Sequence, residues 1–155
     1  MKQGDLCTEI GFIQSGILIE IESVDGKEIT RWIYSEGEFV SDLSSFTSEQ
    51  KTIASYQAVE NVEMCAIGKK DFDRLSQHIP AWRDLELRSL TECSQALKNR
   101  LTTQLSMKAE ERYKHFFEQN PSLFNRVPLI HIASVLGMSP ETLSRIRKKQ
   151  ITPTS

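Results

Sequence analysis

"GILIEIESVDGKEITRWIY" (16–34) decides the fold. Ile17, Ile19 and Ile21 alternate onto one face, Asp25-Gly26 interrupts, and a second run carries Ile29, Trp32, Ile33 and Tyr34. An Asp-Gly pair between two such runs favours a tight turn with positive φ at its central residues, so the stretch predicts an antiparallel hairpin. Outward from it, Gly16 and Gly37 mark further turns, and "IASYQAVENVEMCAI" (53–67) supplies one or two more strands before Gly68. The first 67 residues therefore predict an all-β unit, a small barrel or roll.

Near Lys69 the period changes. "KKDFDRLSQHIP" (69–80) predicts a short helix with Asp71 as N-cap and Pro80 as terminator. Residues 82–107 form the longest helical stretch, in which Leu90, Cys93, Leu97, Leu101 and Leu105 fall at spacings of 3, 4, 4 and 4 on one face. That stripe either packs on the β unit or forms a seam between two chains; flanking Glu92, Lys98 and Arg100 favour the seam, because they resemble the charged margins of a short coiled coil. "AEERYKHFFEQNP" (109–121) is helical again, and two shorter helices follow, "PLIHIASVLG" (128–137) and "PETLSRIRKKQ" (140–150). The fold class is α+β, with three parts expected: an antiparallel β-roll over 1–81, a long helix over 82–107, and an all-α helix-turn-helix domain over 108–155.

Two helices joined by a three-residue turn meet steeply only where the crossing residues are small and the turn admits an unusual backbone. Ala133 supplies the first condition and Gly137 the second. Leu129, Ile132 and Leu136 then share a core with Leu143 and Ile146, Ser139 caps the second helix, and Pro140 suits its first position. That helix exposes Glu141, Thr142, Ser144, Arg145 and Lys148. Arg145 can offer two donors to a guanine edge, Glu141 can accept from a cytosine amino group, and Ser139, Thr142 and Lys148 can reach phosphates. An ordinary helical hairpin with solvated cations is the rival reading; the fit of Ala133, Gly137 and Ser139 with the apolar spacing favours DNA.

Charge agrees with this division. The net charge is −2, yet residues 1–97 hold 9 Lys/Arg against 17 Asp/Glu, or −8, while residues 98–155 hold 10 against 4, or +6. Only the C-terminal part has the sign to attract a polyanion. Cys7, Cys65 and Cys93 form no CxxC or Cys/His cluster, so no disulfide framework or metal site is expected, and buried thiols are the reading. No apolar run approaches a membrane span and "MKQGDLCTEI" has no signal-peptide character, which places the protein in the cytoplasm, away from membranes. His78, His115 and His131 are dispersed with no nucleophile motif or phosphate loop, so an enzyme is not expected; His131 is read as packing or capping within its own helix.

The chain resembles the Crp/Fnr superfamily of bacterial transcription regulators. The resemblance rests on the Gln-Gly-Asp turn (3–5), the "FIQSG" strand end (12–16), the Asp-Gly-Lys-Glu hairpin (25–28), the Glu-Gly-Glu-Phe turn (36–39) and "LGMSPETLSRIRK" (136–148). "AEERY" (109–113) and "HIASVLGMSPETLSRIRK" (131–148) look most like the Bacteroidetes branch. The resemblance implies that 82–107 is a dimerisation helix and that Glu141 and Arg145 read bases. Its nucleotide cassette, a Gly-Glu pair and a later Arg followed by Ser or Thr, falls here on Ser41 and Asp42 and on Thr52 and Ile53. Ser41, Asp42, Leu43, Thr52 and Ile53 thus mark the expected effector pocket, without the cation that a cyclic phosphate requires, which argues against cyclic AMP; Asp42 reads as a solvated loop carboxylate. Relative to the family the sequence is shortened before the Gln-Gly-Asp turn, carries Pro140 where some members have an Arg, lacks a β wing after the recognition helix, and has no N-terminal cysteine cluster for an iron-sulfur centre.

The expectation is a homodimeric regulator that binds a pseudo-palindromic double-stranded DNA site, works with RNA polymerase, and answers to an unidentified small-molecule effector with no cofactor. The alternative is a sensor or interaction module with a degenerate nucleotide-binding fold and little affinity for DNA.

Overall fold

The structure, a computed structural model, describes residues 1–151; the last residues of the expected terminal domain, 152–155, lie outside the described residues. In chain order the elements are β1 (Glu9–Ser15), β2 (Leu18–Val24), β3 (Lys27–Tyr34), β4 (Phe39–Val40), α1 (Leu43–Ser48), β5 (Ala54–Ala58), β6 (Glu63–Gly68), α2 (Lys69–His78), α3 (Pro80–Ser106), α4 (Ala109–Gln119), α5 (Leu123–Arg126), α6 (Leu129–Val135) and α7 (Pro140–Ile151). The strands form two antiparallel three-stranded sheets, ordered β4-β1-β6 and β3-β2-β5.

The hairpin forms as its sequence predicts. Val24 pairs with Lys27, and Asp25 and Gly26 between them take φ of 50° and 76°. Positive φ at both central residues gives the turn whose twist matches that of the strands.

Strand β2 buries both of its faces. Leu18 joins Ile13 and Val40 in one cluster. Ile17, Ile19 and Ile21, with Ile33 of β3, instead share a core with Tyr113, Leu123, Phe124, Ile132, Leu143 and Ile146 from helices α4 to α7. The terminal helices therefore sit directly on the β3-β2-β5 sheet. Ile17, Ile19, Ile132 and Leu143 are fully buried, and each such side chain contributes about 1.5–3 kcal/mol through area removed from water.

Several local expectations are corrected. Helix α2 takes Gly68 as N-cap; Asp71 lies in its first turn, where a carboxylate meets the positive end of the helix dipole. Pro80 both follows the end of α2 and opens α3 at its first position, so the long helix starts two residues earlier than read. Of the three thiols only Cys7 is buried: Cys65 lies on β6, at the edge of its sheet, and Cys93 on α3, which buries none of its residues. Helices α1 and α5, of six and four residues, are too short to carry a periodic signal. Among the described residues no helix is long and apolar enough to cross a membrane.

Candidate nucleic-acid interface

Helices α6 and α7 meet through a turn built as the sequence requires. Gly137 takes φ 64°, its N–H donates to the Ser134 carbonyl at 3.0 Å, and the Met138 N–H donates to the Ala133 carbonyl at 3.0 Å. This pair of bonds is a Schellman closure, which satisfies the last carbonyls of α6 and ends it abruptly. Ala133 is completely buried at the crossing, with Ile132, Leu136, Leu143 and Ile146 around it and Leu129 half-buried against them. Ser139 caps α7, its Oγ accepting from the Thr142 N–H at 3.2 Å.

With its inner face fixed, α7 presents the opposite one. Ser139, Glu141, Arg145 and Lys148 are exposed, and Thr142 and Ser144 are half-buried. Glu141, Ser144, Arg145 and Lys148 line a shallow groove with Pro140 and Lys149. A hydrogen bond from Ser139, and then its own backbone N–H, holds the Glu141 carboxyl below its ordinary range, so it stands ionised as an acceptor. Ser139 is also bonded to the Thr142 hydroxyl at 3.2 Å, which commits it to the cap before any phosphate. The four cations of 145–150 divide by role: Arg147 lies 5.9 Å over the Phe124 ring and Lys149 pairs with Glu110 of α4, while Arg145 and Lys148 remain on the outer face.

The turn is held from outside by residues that sequence reasoning did not assign to it. The Val135 carbonyl accepts from Arg100 at 3.3 Å and from Gln104 at 3.1 Å, both on α3. The Leu136 carbonyl accepts from Arg112 of α4 at 2.9 Å, and that of Gly137 from the same guanidinium at 3.3 Å. Arg100 also donates to the Arg31 carbonyl of β3 and lies 5.7 Å over the Trp32 ring. In sequence it read as the charged margin of a seam; its long reach was the only signal of a different task.

Helix α6 is tied to the β unit as well. The Thr30 N–H donates to Ser134 Oγ at 2.8 Å, and Thr30 Oγ1 meets His131 Nδ1 at 2.9 Å. His131 thus bridges to another element instead of capping its own helix; burial lowers its pKa, with Glu28 opposing. Arg126 of α5 pairs with both Glu36 and Glu60.

Of the expected effector-pocket residues, Ser41, Asp42 and Thr52 are bonded within the fold. Asp42 is not a solvated loop carboxylate: it caps α1, accepting from the Ser45 N–H at 3.0 Å. Ser41 Oγ lies 3.3 Å from Cys7 Sγ, and buried Thr52 donates to the Ala54 carbonyl at 3.1 Å. Leu43 and Ile53 are exposed. Near them the interior is acidic: burial first, then the negative charge of Glu20, raises the pKa of both Tyr34 and Tyr56, and Asp42 adds to the effect on Tyr56.

Residues 1–78, which hold the two-sheet roll and the capped helix between β4 and β5, match the cyclic nucleotide-binding domain family. The chain belongs to the cyclic nucleotide-binding domain family. No curated protein sequence matches it significantly. Several solved structures match nearly its whole length. The c-di-GMP-responsive global regulator CLP of Xanthomonas campestris shares 17% identity at a TM-score of 0.73, over 97% of this chain and 81% of that one. FixK2 from Bradyrhizobium japonicum shares 11% at 0.82, over 97% and 78%. The catabolite activator protein of Thermus thermophilus shares 22% at 0.51, over 99% and 76%. At these identities the likeness establishes the fold alone.

Proposed function

We infer that this protein is a DNA-binding transcription regulator of the Crp/Fnr type, acting as a homodimer on a pseudo-palindromic site. The observation that carries the reading is α7 itself: a helix fixed by Ala133, the Gly137 turn and the Ser139 cap, with Glu141, Arg145 and Lys148 exposed on its outer side. Arg145 offers two parallel donors to a guanine, Glu141 accepts from a cytosine amino group, and Thr142, Ser144 and Lys148 contact the backbone. Ser139 serves chiefly as the cap. The exposed leucines of α3 supply the seam, and two-fold symmetry then sets the recognition helices about 34 Å apart. The fold's clamps support effector control, since α7 cannot tilt without disturbing bonds from α3 and α4.

Binding to random and selected duplexes across a salt series tests this. Arg145→Ala is expected to cost about 1–3 kcal/mol on the selected site and to relax the preference for one base pair. Lys148→Ala is expected to weaken all duplexes alike and reduce the salt slope by about one. Sequence preference that survives Arg145→Ala unchanged defeats the base-reading assignment.

A further inference from the structure

A cleft of about 630 Å³ opens where the β unit, α3 and the terminal helices meet, and it does not include the cassette positions. Trp32 and Ile33 of β3 form one wall, Ala96, Asn99 and Arg100 of α3 a second, and Arg112, His115 and Phe116 of α4 a third. Its size and its place at a junction suit a small organic ligand.

Its charge narrows the class of ligand. Arg100 and Arg112 both line it, and among the described residues neither forms an ion pair; their hydrogen bonds go to main-chain carbonyls. The one carboxylate in the lining, Glu38, is occupied by the Ser35 N–H at 2.6 Å and the Ser35 hydroxyl at 3.1 Å. Within the lining two guanidinium groups stand against one carboxylate, which favours an anion; the charge of Glu20, which also reaches Arg100, offsets part of that excess, so a single negative charge suits the cleft better than two. Burial disfavours the charged form of Arg100, so an anion beside it relieves an existing cost. Trp32, Phe116, Leu123 and Leu136 supply the apolar surface for a planar ring.

We propose that the junction cleft binds a small aromatic monocarboxylate, ring against the Trp32 wall and carboxylate on Arg100. This rests on the regulator reading, whose unidentified effector it would supply: a carboxylate on Arg100 competes with the Val135 carbonyl for the same donors. The cleft would then couple occupancy to the turn that aims α7.

The test uses the full chain carrying Trp82→Phe, so that Trp32 alone reports by fluorescence, with benzoate as probe and benzamide and acetate as controls. Saturable quenching by benzoate is expected, with benzamide and acetate each at least about tenfold weaker, the share carried by one charge-assisted bond or by the ring. Arg100→Gln should weaken benzoate about tenfold or more, while Lys70→Gln on the exposed side of α2 leaves it unchanged. Benzamide or acetate equal to benzoate, or quenching that does not saturate, overturns the proposal without reliance on any cleft variant. Benzoate binding in a chain with no salt-dependent DNA affinity supports the cleft and defeats the regulator reading; DNA binding with no preference for benzoate over benzamide does the reverse.

Discussion

Arg100 on α3 donates to the carbonyl of Val135 on α6 at 3.3 Å. The same guanidinium donates to the Arg31 carbonyl on β3, so one side chain joins the sheet, the long helix and the turn that sets α7. Arg100→Ala is expected to cost about 1.5–3 kcal/mol, the range for hydrogen bonds to charged groups, read as a lowered urea midpoint with an unchanged slope. Because Gln104 bonds the same Val135 carbonyl, the double variant with Gln104→Ala should depart from additivity. Strict additivity would show that the two side chains do not share a clamp.

Gly137 is the second weak point of that turn. Its φ of 64° is left-handed, and a Cβ there would lie 2.7 Å from Gln104 Oε1. Gly137→Ala is expected to destabilise by about 1–2 kcal/mol from backbone strain, with Gly137→Asn milder because Asn tolerates that conformation. Thermal melts of the two variants check the order; equal loss would point to the Gln104 contact in place of the backbone.

Acid should loosen the seat of α5 and α6 on the sheet in two steps. His131 has a folded pKa below its ordinary 6.5, chiefly through burial, so its contribution is present above 6.5 and fades as pH falls below it. Glu36 is held at about 2 instead of 4.5, first by its hydrogen bond from Arg126, so its contribution is present above 4.5 and is lost toward pH 2. The bridge is largely exposed, which limits it to under about 1 kcal/mol. Stability measured against pH should lose its upper step in His131→Asn and its lower step in Glu36→Gln; a lower step retained in Glu36→Gln would assign it to another carboxylate.

The hairpin, the α6–α7 pair and the exposed face of α7 were legible because each depends on local spacing. Asp25-Gly26, Ala133, Gly137 and Ser139 act within a few residues of themselves, and their geometry follows from their chemistry. What stayed hidden was long-range. Arg100 to Val135, Arg112 to Leu136, Thr30 to His131 and Arg126 to Glu36 span from 24 to 101 residues of chain, and no periodicity encodes such pairings. For the same reason Asp42 read as a loop carboxylate: a six-residue helix gives no repeat from which to infer a cap.

Cyclic AMP is expected not to bind at physiological concentration. A cyclic phosphate in the roll would lie near Glu20 and Asp42; Arg31 is already paired to Glu20 and Glu22, and Lys51, beside Thr52 in the chain, is exposed to solvent and is no fixed partner. A buried phosphate without a free cation loses its hydration uncompensated. Calorimetric titration with cyclic AMP and cyclic GMP should be flat, and micromolar affinity would overturn the argument from charge.

The leucines of α3 test whether the α7 helices come in pairs. Leu90, Leu97, Leu101 and Leu105 are 52%, 52%, 59% and 79% exposed, and Leu87 adds 67% at the start of the same run. Such a stripe neither packs on the β unit nor is usual on a monomer, whereas a second copy would bury it along the helix. Leu97→Glu and Leu101→Glu replace exposed side chains, so each protomer should fold as before while the pair dissociates at least about 100-fold more readily, the cost of burying an unpaired charge. Sedimentation across a dilution series measures this directly. A chain that sediments as a monomer with its leucines intact would leave each α7 to read a single half-site, and binding to a palindrome would then show no gain over binding to half of one.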